Sequence, residues 1–242
     1  MAFEKIGKSF NRKFGLRDEM ENGIWTTDGS GDHLWVVGPG NAVVYIDESF
    51  ATLESSSWLT KTDFSGGAGT AAVTGGICEV NSTLVNNAGI TMYWHETLPY
   101  TLREAGKITL EFWGKWHEKL AEMFIGFYNG TLSTTDEIIA DYWEGIKCGK
   151  ESSVTNQLSS EYSDGAESDI WLADTYARIK VIIQDATTPT MTATVNGAAW
   201  LGGALSLPAS HRDFNFTPCV RCKATIAGEG QLFIDWLKVK FG

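Results

Sequence analysis

The sequence predicts an all-β protein, an antiparallel β-sandwich closed by its last strand. Three observations carry this. The segment Gln231-Leu-Phe-Ile-Asp-Trp-Leu-Lys-Val-Lys-Phe241 is rich in β-branched and aromatic residues and contains neither Pro nor Gly. Glycine outnumbers proline 26 to 5, and 43% of residues are apolar, including ten Trp and twelve Phe. That composition suits strands joined by Gly turns around a large core. Short apolar segments also alternate with polar positions and are bounded by Gly and Asn pairs.

The 242 residues are compatible with one β domain, and the net charge is −11. An acidic surface repels phosphate backbones, so no nucleic-acid partner is expected. Cys78, Cys148, Cys219 and Cys222 are expected as ordinary reduced thiols. Cys219 and Cys222 lie three apart on a strand and so point to opposite faces, which does not suit a shared metal. The start, Met-Ala-Phe-Glu-Lys-Ile-Gly-Lys, lacks an apolar signal core, and no segment is long enough to span a membrane. The expected chain is made in a cytoplasm without a signal peptide and has no membrane partner.

Taken in order, residues 1–17 stand apart. Lys5, Lys8, Arg12, Lys13 and Arg17 face only Glu4, which leaves this stretch at +4. Phe3, Ile6, Phe10 and Phe14 recur at helical spacing. A basic amphipathic arm on an acidic body is expected to dock in an assembly through Phe3, Lys5, Lys8, Phe10, Arg12, Lys13, Phe14 and Arg17. Strands follow at Gly23–Thr27, Leu34–Val37 and Ala42–Ile46. Residues 1–44 are therefore read as an arm with extra strands, and 45–242 as the sandwich domain.

A hairpin is expected about Gly75-Gly76, then strands at Ile90–Trp94, Lys107–Trp116, Glu122–Tyr128 and Ile138–Trp143. The polar, Ser-rich residues 149–169 read as a long surface loop. Ala177–Ile183 and Met191–Val195 both alternate, and Asn196-Gly197 is read as the turn between them. Phe216–Ile226 and the final strand complete the sheet. Asp235, between Ile234 and Trp236, is a carboxylate that needs a hydrogen bond or a metal.

The order of Glu48-Ser-Phe50, Trp58, Gly75-Gly76-Ile77-Cys78-Glu79-Val80, Ile108–Phe112, Phe124-Ile-Gly-Phe127, Tyr176–Val181, Val195-Asn-Gly197 and Phe233–Val239 resembles the concanavalin A-like lectin/glucanase jelly roll. The resemblance covers residues 45–242. It implies a jelly-roll sandwich and a choice among glycoside hydrolases of the laminarinase type, lectins, carbohydrate-binding modules and structural domains of phage and viral particles. It also implies a structural calcium (Ca2+) on Asp235, whose oxygen chemistry suits that ion.

Hydrolysis needs two carboxylates flanking the scissile bond. Laminarinase-like relatives carry them as Glu-x-Asp-x-x-Glu on one strand. The nearest pattern here, Glu137-Ile-Ile-Ala-Asp141-Tyr-Trp-Glu144, departs from it, with Glu144 on the opposite face from Glu137 and Asp141. Glu111 is alone in its strand. No catalytic residue is therefore assigned. Sugar binding needs aromatic platforms, for which Trp94, Trp113, Trp116, Tyr142 and Trp143 are the candidates, against packing in the core. The expected function is a non-enzymatic virion structural protein, on a capsid or tail, with an outward jelly roll and weak adhesion to surface glycans. Its partners would be other virion proteins and copies of itself. The alternative is a carbohydrate-binding module or glycoside hydrolase acting on polysaccharide.

Overall fold

The computed structural model describes residues 23–27, 33–37, 43–53, 57–61, 69–85, 88–117, 121–129, 142–150, 153–160, 163–168, 170–224 and 229–242. The basic segment 1–17 and the Glu137–Asp141 stretch lie outside the described residues, as do the side chains of Tyr142 and Trp143. Among the described residues no helix is long and apolar enough to cross a membrane.

Strands β1 (Gly23–Thr27) and β2 (His33–Val37) pair antiparallel as a two-stranded sheet. The main body is two antiparallel sheets face to face. One has seven strands, in the spatial order β12 (Ser163–Asp164), β11 (Ser153–Ser160), β10 (Tyr142–Lys150), β9 (Glu122–Asn129), β17 (Thr217–Lys223), β7 (Gly89–Trp94) and β4 (Trp58–Lys61). The other has nine. Its path runs β15 (Ala198–Ala199), β14 (Thr190–Val195), β13 (Ala177–Gln184), β8 (Lys107–Trp116), β18 (Gln231–Phe241), β6 (Ile77–Asn81) and β5 (Thr70–Thr74). Strand β16 (Leu205–Ser206) adds to β14, and β3 (Val43–Glu48) adds to β18.

The core lies between the sheets and follows the period of two. From the nine-stranded sheet it takes Ile108, Leu110, Phe112 and Trp116 of β8, Ile179, Val181 and Ile183 of β13, and Leu232, Ile234, Leu237, Val239 and Phe241 of β18. The seven-stranded sheet supplies Met92, Ile125, Phe127, Ile146, Leu158, Val220 and Cys222. Burying one side chain of this size contributes roughly 1.5–3 kcal/mol.

Strand β18 is the seam of its sheet. From Leu232 to Phe241 it pairs with β8 on one side, interrupted only at Asp235. On the other side, Gln231–Ile234 pair with β6 and Leu237–Phe241 with β3. Asp235 occupies the handover: the register with β8 slips between Ile234 and Trp236. This β-bulge shifts the parity of the strand, so Ile234 and Leu237, three apart, both face the core. Gly114 lies opposite the bulge, and a Cβ there would stand 2.6 Å from the Phe233 carbonyl oxygen.

Three expectations are corrected. The division at residues 44/45 cuts through β3, whose residues on both sides of it pair with β18. Within 149–169, expected as a loop, the described residues are largely strand: β10 continues to Lys150, β11 pairs with it, and β12 pairs with β11. The alternation was hidden because the inward positions of β11 include Asn156 and Ser160 beside Leu158. Asn156 makes its place tolerable by donating from Nδ2 to the Trp171 carbonyl at 2.7 Å. The Asn196-Gly197 turn, with φ of 50° and 85°, joins β14 to β15, while residues 185–189 connect β13 to β14.

The two sheets differ on their outer faces. On the seven-stranded sheet, Phe124, Tyr128, Cys219 and Arg221 alternate with core residues and so point away from the sandwich, yet all are buried. The Phe124 ring lies over the cross-strand pair Gly126 and Gly145, where a Cβ on either would come within 2.8 Å of it. The outer face of the nine-stranded sheet carries an open recess instead.

Candidate functional site

The recess, of about 640 Å3, lies over β8, β13, β14 and the end of β18. Pairing of β13 with β8 places Arg178 opposite Trp113 and Lys180 opposite Glu111. On the far side of β8, Trp236 stands opposite Trp113, Lys238 opposite Glu111 and Lys240 opposite Thr109. Alternation puts all of these on the outer face, since Phe112 and Leu110 between them are core.

Glu111 is the unusual residue of this face. Its side chain is 6% exposed although it points away from the core. Arg178 donates from Nε and reaches with Nη2 to the same oxygen, Oε1. The Lys240 ammonium stands 3.8 Å from Oε2. A buried carboxylate is tolerated only with such company. Arg178 is fixed at its backbone as well: its N–H donates to Asn196 Oδ1 at 2.9 Å, and its carbonyl accepts from the Asn196 N–H at 2.8 Å. Asn196 takes the left-handed φ that the β14–β15 turn requires, so the turn aims its amide back at β13.

Beside this pair is an aromatic shelf. Trp113 and Tyr176 stack with centroids 6.2 Å apart and planes 13° apart. Lys115 extends the shelf, its ammonium 5.4 Å from the Tyr176 ring centre and 4.7 Å from that of Phe233. Burial and the Asp235 charge push the Tyr176 phenol above its ordinary value, so it is a neutral donor at neutral pH.

The five aromatic candidates are not brought together. Trp113 lies at the recess. Trp116 is a core residue, 1% exposed, its Nε1 donating to the Trp171 carbonyl. That placement corrects its reading as a platform, because its ring faces are spent on packing. Trp94 belongs to the other sheet and meets Trp58 edge-on at 5.2 Å. Tyr142 and Trp143 stand on β10, also in the seven-stranded sheet. Alternation alone could have grouped Glu111 with Trp113, and Arg178 with Lys180. Nothing in the sequence showed that β13 is the neighbour of β8.

Glu144 makes no hydrolytic pair with Glu111, since the two stand on different sheets. Glu144 faces inward from β10 and meets His211, Nδ1 to Oε1 2.6 Å, with both side chains fully buried. Asp235 is half-buried on the bulge. Among the described residues no three His, Cys, Asp or Glu side chains converge as metal ligands. Calcium takes six to eight oxygens, so Asp235 does not by itself fit the expected calcium site.

Two antiparallel sheets, a seam strand that closes the chain and a one-sided recess define a lectin-like jelly-roll β-sandwich. The fold is that of legume-lectin-like and concanavalin A-like carbohydrate-recognition domains. Peanut lectin superposes with a TM-score of 0.59 at 10% identity, over 84% of this chain and 98% of the lectin. The carbohydrate-recognition domain of Emp47p gives 0.52 at 10% identity, over 82% and 95%. A structure from work on endo-acting O-glycanases of the human gut microbiota, which initiate mucin breakdown, gives 0.52 at 10% identity, over 81% and 98%. No protein-family model and no curated protein sequence matches the chain. Identities this low establish the fold alone, and none of these three structures points to a phage or viral origin.

Proposed function

We propose that this chain is a non-enzymatic glycan-binding domain whose binding surface is the recess at Trp113, Glu111 and Arg178. The observation that carries the reading is the stacked Trp113–Tyr176 shelf beside a fixed carboxylate–guanidinium pair in an open recess. Sugars present apolar C–H faces and a periphery of hydroxyls, so a flat ring with oriented polar groups at its edge matches both. The lectin-like fold is compatible with this use.

The hydrolytic alternative needs paired carboxylates about 5–5.5 Å or about 6.5–9.5 Å apart across a bond. Glu111 points out of one sheet and Glu144 into the core from the other, so this reading assigns them no shared chemistry. The narrower reading, a virion surface subunit docked through residues 1–17, rests on the +4 charge of that stretch against a strongly acidic remainder. Light scattering on the full chain and on residues 21–242 tests that docking: an unchanged monomer in both would remove self-assembly from the arm's role.

The deciding experiment is a glycan array probed with the wild-type chain and with Trp113→Ala, each checked by circular dichroism. Binding by the wild type and its loss in the folded variant supports the reading. A wild-type chain that binds no glycan, or release of reducing ends from one, overturns it.

A further inference from the structure

We infer that the recess takes an acidic saccharide, one carrying a carboxylate or a sulfate ester that sits against Lys180 and Arg178. This rests on the glycan-binding reading and adds the ligand class.

Donors outnumber free acceptors in the recess. Sugar hydroxyls both donate and accept, so a site for neutral sugars needs spare acceptors. Here the obvious ones are engaged. Glu111 Oε1 receives Arg178, and Oε2 faces Lys240. Asn196 Oδ1 receives the Arg178 backbone N–H. What the recess mainly turns to a ligand is donor capacity: the Lys180 ammonium, the Asn196 amide nitrogen and the guanidinium edge not turned to Glu111, with the Thr194 hydroxyl able to donate or accept. Arg178 lies over a carboxylate that is 6% exposed while 61% of its own side chain is exposed, so the pair is capped from the cationic side.

The charge balance agrees. Three cations, Arg178, Lys180 and Lys240, line the recess against Glu111 alone, on a chain whose net charge is −11. A cationic recess on an acidic protein attracts an anionic ligand locally while the body repels anions in general, which sharpens selection of the bound position. Guanidinium and ammonium groups also form the stronger, charge-assisted hydrogen bonds to carboxylate or sulfate oxygens. Trp113 would then hold the C–H face of the same sugar ring.

The test is biolayer interferometry of the full chain at 150 mM NaCl against three immobilised probes: an oligogalacturonide (carboxylate), a carrageenan oligosaccharide (sulfate) and a neutral β-glucan oligosaccharide. The expected result is binding to at least one acidic probe and little to the neutral one, with the two acidic arms separating carboxylate from sulfate. Lys180→Glu should weaken that binding about tenfold or more, the loss of one charge-assisted contact. Lys180→Gln gives the same direction without charge reversal, should the first variant misfold. Lys147→Glu, on the other sheet, should leave binding unchanged. Trp113-dependent binding to the neutral probe alone overturns the acidic class and leaves the glycan-binding reading standing. Equal losses in Lys147→Glu and Lys180→Glu overturn it as diffuse charge attraction. Silence on all three probes, in a chain that also binds nothing on the array, overturns both.

Discussion

Arg178 caps Glu111 across the β8–β13 pair, and the two are diagonal partners, since Lys180 is the residue directly opposite Glu111. The guanidinium reaches past its own cross-strand neighbour, Trp113, to find the carboxylate. A diagonal reach of this kind is within range of a long side chain and couples two rows of the sheet.

That coupling is measurable. Glu111→Ala should lower stability by roughly 1–2 kcal/mol, because a nearly buried carboxylate leaves its partners unmatched. Arg178→Ala should cost at least as much, since it leaves the nearly buried Glu111 carboxylate with only the Lys240 ammonium at 3.8 Å. A double-mutant cycle by urea denaturation should show about 0.5–1 kcal/mol of interaction. Additive effects would mean that the two side chains do not act as a pair.

Gly126 and Gly145 have no room for a side chain. A Cβ on Gly126 would stand 2.3 Å from the Glu144 carbonyl oxygen, and one on Gly145 would stand 2.3 Å from that of Ile125. Gly126→Ala is expected to destabilise by about 2–4 kcal/mol through overpacking. Phe124→Leu should recover only part of the loss, because the ring can move and the backbone oxygen cannot. A Gly126→Ala midpoint in urea equal to wild type would refute this packing.

The four thiols are all buried and free. Burial is the main cause that pushes Cys78 up to about 12, helped by the Glu48 and Glu79 charges, and burial likewise raises Cys148, Cys219 and Cys222. Thiolates are the reactive form, so none should react with a disulfide reagent at pH 8 in the native protein, and all four should react in guanidinium. A native thiol that labels within minutes would contradict its placement.

Asp185 contributes to the acid limb of stability. Its hydrogen bonds from Arg212 Nε, 2.7 Å, and Nη2, 3.0 Å, hold its carboxyl below the ordinary value. A depressed folded value means the stabilisation is complete above the unfolded value of about 3.9 and is lost as pH falls through the folded one. The difference in urea midpoint between wild type and Asp185→Asn should therefore be constant from pH 7 to 5 and shrink below about pH 4. Asp185→Asn should show a shallower fall. An identical acid limb in the variant would exclude this pair as its source.

The sandwich was legible because its strands alternate and its core is apolar. Gln231–Phe241 and Ala177–Gln184 announced themselves in this way. Strand β11 did not, because Asn156 and Ser160 are polar yet face inward. The site was half legible. Trp113 and Glu111 share a face by parity alone, whereas Arg178 arrives from 67 residues away and brings Asn196, 18 residues further on, with it. The Asp235 bulge was hidden too, since its parity shift depends on where β6 ends and β3 begins.

The handover at Asp235 also bears on how the chain reaches this state. Strand β18 is the last of the described strands to leave the ribosome, yet β8, β6 and β3 all need it as their middle neighbour. Until it arrives, these three carry unmatched edges with apolar faces, the condition that invites mispairing. Contacts such as Glu48 with Leu237 close most of the chain length at once. The open half-sheet would thus zip shut in a late, slow step once β18 has emerged, and chaperone dependence should fall on that interval.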